Sequence, residues 1–466
     1  MNSVLKVVPI FLLSLLFSVR LEGQSNQLFY SLTQQDSEMV SVSISFNPLP
    51  SNEASLLIAR SAPGTYEITE YSRFIENVIA TTTSGDQLEG VKGIGSYFNF
   101  REEGSIKEIS YDVNILKMES ELKDAFASSK GRENYLGILG YSVFGTISGL
   151  ENTPIELTVK SEIQWPIFTT LSPQQYPTGE FNISVENYAA LVDAQYLLGS
   201  DVEIYQVEDT EIPLFIAAYS ETTIDLKEIG RRAKISLEGL SKYFGYIPMP
   251  HYTVCYEFLI PISGEHGYGF SMEHMNSMTA SQDTSRAIKM YEENPNIGSM
   301  VHHIGHSWIP LRSYGKGYRP FDWESAPIIE TIWLNEGFIW YVMTVVLEAP
   351  RRINFFKRMV NTAPRYIKEK SLKELSQLGS TQYSTDFNIG RNLFSRGALM
   401  AYEMDQFIKT ATGGDKSFKD ALIGLLKWTE ANQRAFEYEE IEPILSSATG
   451  VNLQSIWNKW QGPMKD

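Results

Sequence analysis

The chain has 466 residues, which is too long for one ordinary hydrophobic core and predicts two or three packed units. Its composition, with 43% hydrophobic and 20% charged residues, is that of a globular protein. The formal net charge of -17 at pH 7 argues against nucleic acid or an anionic membrane surface as the partner.

Residues 1–23 have the pattern of a secretory signal peptide. Lys6 precedes an apolar run from Val7 to Phe17, and Gly23 offers a small residue for cleavage. The run is too short to span a bilayer comfortably, and no cysteine near it could carry a lipid anchor. We therefore expect an exported protein, periplasmic or extracellular, with no stable membrane insertion after signal cleavage. The single cysteine, Cys255, allows no intrachain disulfide, which favours a bacterial envelope.

Residues 24–163 have the pattern of a β-rich N-terminal domain. Segments such as 39–46 and 154–163 alternate apolar and polar residues, and Gly, Asn, Ser and Pro separate them. Residues 164–345 mix strands and helices. A helix is predicted over 225–245, and a strand that buries Cys255 as an inert thiol is predicted over 252–260.

The chain becomes mainly helical after residue 290. Asn294 and Pro295 predict a helix start, Pro310 predicts its end, and a strongly apolar helix is predicted from Ile332 to Leu347. Residues 346–466 continue with helical patterns over 393–409, 418–432 and 453–460. We therefore predict an α+β multidomain protein whose C-terminal domain, residues 346–466, is helical.

The stretch 301-VHHIGHSWIP-310 is the first candidate for chemistry. All six histidines lie between residues 251 and 306, and three of them fall on this predicted helix. Residues four apart share a helical face, so His302 and His306 can present two imidazoles to one metal ion. A histidine pair at this spacing is also common without a metal.

Glu336 is the second candidate. It stands alone in the apolar run 333-WLNEGFIWY-341, where a carboxylate must be paired, protonated or bound to a metal. The alternative is an ion-paired core acid, but two histidines upstream favour a His2Glu zinc site with one open coordination position. A third stretch, 267-GYGFSMEHMNSMTAS-281, could carry Glu273 on a strand edge toward a cleft, or could simply be a strand with solvated polar residues.

Taken in order, these stretches resemble the glycyl aminopeptidase family of zinc metallopeptidases, which is related to aminopeptidase N and leukotriene hydrolase. The motifs are G-x-M-E-H-x-N-S, H-x-x-x-H-S-W, R-P-F-D-W-E and W-L-N-E-G-F. Two further segments, 62-APGTYEITEYSRFIENVIA-80 and 394-FSRGALMAYEMD-405, are similar to that family's M-P-G-S-Y and Y-x-K-G-A-L segments.

The resemblance implies a Zn²⁺ cofactor held by His302, His306 and Glu336. It implies that Glu273 holds the free α-amino group of a peptide or protein N-terminus. It also implies a thermolysin-like catalytic domain, residues 164–345, between the β domain and the helical domain. We do not expect the PDZ domain that many members carry.

The chain departs from the family at two catalytic positions. His303 stands where the general-base glutamate belongs, and Phe394 stands where the tyrosine that stabilises the oxyanion belongs. A neutral imidazole can accept a proton, but the imidazolium would be repelled by Zn²⁺. His303 could instead ligate the metal, although it is offset by about 100° round the helix. Tyr383 could replace the missing phenol, although nothing in the sequence places it there.

Two hypotheses remain. The protein is an exported metallopeptidase of this type that hydrolyses peptide N-termini slowly or by an altered mechanism, through Glu273 and His303. Alternatively, it is a catalytically inactive relative that retains zinc and binds peptides or a protein partner.

Overall fold

A computed structural model describes residues 27–123, 128–290, 297–383 and 385–464. The signal peptide predicted for residues 1–23 and the helix start predicted at Asn294 and Pro295 lie outside these residues. Within the described ranges, none of the helices has the length and hydropathy needed to cross a bilayer.

The N-terminal part is built on a ten-stranded sheet and a smaller, four-stranded sheet. Alternation of buried and half-exposed residues in its strands, such as Val40, Val42 and Ile44 between serines, gives one face to a core and the other to water. The strands are β1 (Leu28–Gln34), β2 (Met39–Pro50), β3 (Leu56–Ile58), β4 (Ile75–Thr82), β5 (Gln87–Lys92), β6 (Tyr97–Phe100), β7 (Ser105–Asn114), β8 (Lys130–Arg132), β9 (Tyr135–Leu139), β10 (Gly145–Ile147), β11 (Ile155–Ser161), β12 (Ile167–Thr169), β13 (Glu180–Val185) and β14 (Gln195–Leu198).

These strands form two sheets. The larger has the order β10-β3-β6-β5-β4-β7-β2-β1-β11-β13, and the smaller has the order β12-β14-β9-β8. Strands from both sides of the predicted domain boundary at residue 163 therefore pair in one sheet. Short helices connect them: α1 (Ile115–Glu121), α2 (Gly140–Val143) and α3 (Tyr188–Asp193), with a 3-10 turn at Tyr71–Phe74.

The middle part contains a third, five-stranded sheet of order β15-β16-β17-β19-β18. Its strands are β15 (Glu203–Val207), β16 (Leu214–Ser220), β17 (Tyr252–Leu259), β18 (Gly269–His274) and β19 (Ser277–Asp283). Strand β18 lies at the sheet's end and pairs antiparallel with β19. All residues of β17 are buried, Cys255 among them.

Four helices accompany this sheet: α4 (Leu226–Phe244), α5 (Thr284–Met290), α6 (Gly298–Gly305) and α7 (Ile332–Val346). Asp225 caps α4 by accepting hydrogen bonds from the backbone of Lys227 and Glu228, and Gly245 ends it in the left-handed conformation. The helices predicted over 225–245 and 332–347 are confirmed within a residue at each end.

The C-terminal part is helical. It comprises α8 (Arg351–Asn361), α9 (Arg365–Lys368), α10 (Leu372–Gln382), α11 (Phe387–Ala411), α12 (Phe418–Asn432), α13 (Ile441–Thr449) and α14 (Gln454–Gln461), with a 3-10 turn at Tyr438–Glu440. The predicted α+β class, with a β-rich start and a helical end, is confirmed. One continuous core joins α4, α6 and α7 to the C-terminal helices, while the N-terminal sheet has a core of its own. The predicted boundaries at 163 and 345 stay predictions.

Candidate metal centre and active site

Helices α6 and α7 bring together the three predicted metal ligands. A Cβ at Gly305 would lie 3.0 Å from Cγ2 of Ile339, so the glycine at the end of α6 allows α7 to approach closely. The Nε2 atoms of His302 and His306 lie 3.1 Å apart. Oε2 of Glu336 lies 3.2 Å from the first of these nitrogens and 3.6 Å from the second. All three side chains are buried, so their donor atoms converge on one protected point.

Neighbouring groups orient the two imidazoles. The Nδ1–H of His306 donates to the backbone carbonyl of Ile309 at 2.9 Å, which leaves its Nε2 free to act as a metal ligand. The ring of Trp340 lies against the ring of His302, with 5.0 Å between centroids. Both rings are thereby held with Nε2 toward Glu336.

The titration behaviour of the group reflects the buried negative charge. Burial and the charge of His306 lower the pKa of His302 to about 4. Burial alone would lower the pKa of His306, but the carboxylates of Glu273 and Glu336 outweigh it and raise that pKa to about 9. Against its own burial, the pKa of Glu336 is lowered by His306 and His302. The buried carboxylates therefore draw positive charge to this site, as a proton on His306 or as a bound metal ion.

The residues present fit zinc. Two imidazole nitrogens and one carboxylate oxygen form the donor set of a His2Glu zinc site, in which a fourth position stays open. Donor atoms of Glu273, His306 and Glu336 also lie within 4.8 Å of one another.

Strand β18 places Ser271 and Glu273 on one side of the sheet edge, facing α6. Oγ of Ser271 lies 2.7 Å from Nε2 of His303, and Oε2 of Glu273 lies 3.6 Å from Nδ1 of the same ring. Oε1 of Glu273 is buried and has no hydrogen-bond partner among the described residues. It lies 2.8 Å from the position that a Cβ would occupy at Gly64, so the N-terminal segment 62-APGTY closes over this carboxylate.

His303 lies nearer to the metal ligands than its position on the helix suggests. One nitrogen from each of His302, His303 and His306 lies within 4.8 Å of the other two. The offset of about 100° between successive residues of a helix therefore does not remove His303 from the reach of a metal.

Phe394 is not directly against the ligands. Its ring stacks on Trp340, with 4.9 Å between centroids, and Trp340 in turn separates it from His302. Tyr383, the predicted substitute phenol, lies in the same neighbourhood, because its ring packs on Tyr66 at 5.4 Å. Burial, followed by the charges of Glu336 and Glu273, raises the pKa of Tyr383 well above its ordinary value. Both phenols therefore stay protonated near the carboxylates.

The opposite side of β18 borders a cavity of about 520 Å³, which lies between the ten-stranded sheet and the five-stranded sheet. It is lined by aromatic residues such as Trp323 and by His274, whose Nδ1 lies 3.2 Å from Oδ1 of Asp193. The remaining histidines, His251 and His266, are not part of the metal cluster. The clustering of histidines in the sequence thus overstates the number that meet.

Comparison with known proteins shows which sequences and folds this chain is similar to. Residues 29–200 match the family model of the Peptidase M61 N-terminal domain. A crystal structure of an aminopeptidase N family protein from Idiomarina loihiensis is similar over 94% of this chain and 76% of its own, with a TM-score of 0.78 and 18% identity. The chain therefore has the fold of the gluzincin aminopeptidases, and its N-terminal part resembles that of the M61 peptidases.

Other solved structures extend this likeness of fold. An M1 zinc metallopeptidase from Deinococcus radiodurans covers 95% of the chain and 94% of its own, with a TM-score of 0.55 and 13% identity. A mutant of that enzyme, bound to a Tyr-Ser-Ala substrate, has a TM-score of 0.57 and 13% identity, and covers the same shares of the two chains. No curated protein sequence matches the chain.

Several residues of the candidate site escape sequence reasoning. Ser271 stands two residues before Glu273, and residues two apart in a strand share a face, so this spacing was an available signal. Tyr66 lies in the recognised 62-APGTY segment, but its contact with the metal helices is long-range: Asn335 Nδ2 donates to its hydroxyl at 3.3 Å. The stacking of Trp340 on His302 is likewise invisible before α6 and α7 are packed.

Proposed function

We propose that this protein is a relative of the gluzincin aminopeptidases and an exported zinc metallopeptidase-like protein. It binds peptide N-termini and hydrolyses them slowly or by an altered mechanism. The observation that carries the proposal is the convergence of His302 Nε2, His306 Nε2 and Glu336 Oε2 within 3.1 to 3.6 Å. Bound zinc would polarise a substrate carbonyl and lower the pKa of a bound water.

Glu273 binds the α-ammonium group of the substrate. Its carboxylate is buried and ionised, because His306 and His303 lower its pKa against the effect of burial. Oε1 has no partner among the described residues, and a buried acceptor without a partner is costly. The α-ammonium of a peptide or protein N-terminus would satisfy it with a charge-assisted hydrogen bond. The Tyr-Ser-Ala substrate bound to the Deinococcus relative is consistent with this ligand class.

The catalytic step has weak support. Each ring nitrogen of His303 faces a protein oxygen, on Ser271 or on Glu273, rather than an open site for water. Loss of general acid–base assistance reduces rates by about 10²–10⁴-fold. Phe394 has no hydroxyl, and loss of one oxyanion donor reduces rates by roughly 10²–10³-fold. Since such losses are rarely additive, their product is an upper limit.

A second candidate is a catalytically inactive relative that retains zinc and binds peptides or a protein partner. The packing of Phe394 favours it, because its ring is stacked on Trp340 in the core and offers no group to a substrate. The signal-peptide pattern of residues 1–23 supports an exported, periplasmic or extracellular location for either candidate.

One experiment separates the two candidates. We expect one zinc per chain by elemental analysis, lost in His302→Ala, together with slow, chelator-sensitive hydrolysis of peptide substrates that have a free N-terminus. His303→Glu with Phe394→Tyr should raise kcat/KM by about 100-fold or more. Turnover only in the restored variants would favour the inactive relative, and wild-type protein without zinc would contradict both candidates.

A further inference from the structure

Ser271, His303 and Glu273 form a line of contacts of their own beside the metal ligands. The serine Oγ lies 2.7 Å from one ring nitrogen of His303, and the carboxylate lies 3.6 Å from the other. A nucleophile in hydrogen-bond contact with a base, which is in turn oriented by an acid, is the arrangement that activates a serine hydroxyl. This line exists because position 303 is a histidine, which has a second ring nitrogen to offer.

The protonation pattern follows from the partners. Oε2 of Glu273 faces Nδ1 at 3.6 Å, which is beyond hydrogen-bond distance, so the carboxylate favours the proton of the neutral ring on Nδ1 through its charge alone and leaves Nε2 to accept from the Ser271 hydroxyl. Glu273 is buried, with 4% of its surface exposed, and His303 has 9% exposed. Ser271 is half-buried and is thus the most exposed of the three residues.

We propose that Ser271 is the nucleophile of a second, metal-independent hydrolytic centre, with His303 as its general base and Glu273 as its positioning residue. The substrates are carboxylic esters, with a preference for esters of amino acids. The contact between the nucleophile and the base does not require zinc. The preference for a free amine rests on the proposed function, because it uses the unpartnered Oε1 of Glu273.

The reaction balances with water as the only co-reactant. Ser271 Oγ bonds to the ester carbonyl carbon while its proton passes to His303 Nε2. The bond from that carbon to the alcohol oxygen then breaks, and the same proton leaves with the alcohol. Water attacks the acyl-serine by the same route and returns the proton to Ser271, which releases the carboxylic acid.

The edge position of β18 offers backbone N–H groups for the oxyanion of the proposed reaction. This strand pairs with β19 on one side only, so alternate backbone N–H groups point away from the sheet. Backbone N–H groups beside a nucleophile can stabilise the tetrahedral oxyanion. Esters suit the centre better than amides, because an alcohol leaves with less help from a protonated base than an amine does.

The test is covalent labelling of the full chain with a fluorophosphonate, followed by peptide mass analysis. Attack by Ser271 forms a P–O bond and expels fluoride, so the adduct marks the nucleophile without any turnover assay. We expect one adduct per chain at Ser271, with and without a chelator, absent in Ser271→Ala and formed at least about 100-fold more slowly in His303→Ala.

The chain provides a matched control. Oγ of the exposed Ser263 lies 2.6 Å from Nδ1 of His266, whose other nitrogen faces only the backbone carbonyl of Glu119, at 3.1 Å. Ser263 therefore has the histidine but no carboxylate behind it, and Ser263→Ala should leave the labelling unchanged. An unlabelled wild-type protein, an adduct at any other serine, or labelling abolished by the chelator would overturn the proposal.

The role of Glu273 is tested by coupling. Glu273→Gln should slow labelling in the wild type and have no further effect in His303→Ala, since a positioning residue acts only through the base. Equal slowing in both backgrounds would reject the positioning role.

Cleavage of an amino-acid p-nitrophenyl ester should exceed that of its N-acetylated form. Equal rates, with Ser271 still labelled, would reject only the amine preference and with it the proposed role of Glu273 Oε1.

Discussion

Gly64 is the residue at which the N-terminal segment meets the candidate active site. Its φ of +91° lies in the left-handed region, and a Cβ there would be 2.8 Å from Oε1 of Glu273. Gly64→Ala should therefore suffer twice, through backbone strain of about 1–2 kcal/mol and through displacement of the carboxylate. Urea unfolding measures the loss of stability. Competition of an amino-acid amide with a peptide that has a free N-terminus measures the loss of amine binding.

Gly85 is the matched control for this prediction. It has a similar φ of +94°, but a Cβ there meets no atom within 4 Å. Gly85→Ala should carry the backbone strain alone and leave amine binding unchanged. If both variants bound the amine as well as the wild type does, Oε1 of Glu273 would not be the amine site.

At this scale the sequence predicts residues that belong to spaced motifs. His302 and His306 are identified by a four-residue spacing, and Glu336 by its isolation in an apolar run. The contacts of Gly64 with Glu273 and of Ser271 with His303 are not identified, because they depend on how the segment 62-APGTY and helix α6 lie against β18. Spacing describes one element, whereas these contacts join three.

Helices α7 and α11 cross where two glycines meet. A Cβ at Gly397 would lie 2.0 Å from the backbone oxygen of Trp333 and 2.9 Å from Cα of Gly337. Because the obstacle is backbone, which cannot rotate away, Gly397→Ala should destabilise the protein by about 1–3 kcal/mol or more. The same crossing supports Glu336, so we also expect weaker zinc retention, measured by dialysis against a chelator.

Gly305 offers the contrast on the other helix of the site. A Cβ there would meet Cγ2 of Ile339 at 3.0 Å, which is a side-chain atom that can move. The gain in helix propensity, about 1 kcal/mol, should offset this contact, so Gly305→Ala should be near neutral in urea unfolding. If the two variants were equally destabilised, the distinction between backbone and side-chain contact would be wrong.

Elements were the best-predicted level of the molecule. The apolar periodicity of α4 and the unbroken apolar run of α7 predict both helices nearly to the residue, because both patterns are local properties. The pairing of β1 with β11, more than a hundred residues apart in the chain, carries no such signal. Sheet order and register therefore had to come from the structure.

Across the whole molecule, a buried ion pair joins the N-terminal part to the five-stranded sheet. Lys130 on β8 lies 3.1 Å from Oε2 of Glu257 on β17, and their side chains are 1% and 7% exposed. Tyr135 donates to the other carboxylate oxygen at 2.7 Å, and Ser281 also donates to the group. The pair thus lies beside a small apolar cluster, with Tyr135 and Cys255 among its members, that also joins these two sheets.

Removing one partner should be costly. Lys130→Met leaves the charge of Glu257 buried and unpaired, which should reduce the free energy of unfolding by about 3–5 kcal/mol. Lys130→Met with Glu257→Gln should lose less, because no buried charge remains. Lys316→Met removes an exposed partner of Glu437 and should change stability by at most about 1 kcal/mol. A Lys130→Met variant as stable as this control would contradict the prediction.

The contribution of this pair should disappear at low pH. Burial opposes ionisation, but Lys130 and the hydroxyl donors lower the pKa of Glu257 below its ordinary value in the folded protein. Stability from such a group is fully present above the unfolded pKa of about 4.3 and is lost as the pH falls through the folded value. The difference in unfolding free energy between the wild type and the double variant should therefore shrink only below about pH 4. A difference that stayed constant in urea titrations down to acid pH would show that packing, rather than charge, joins the two sheets at Lys130.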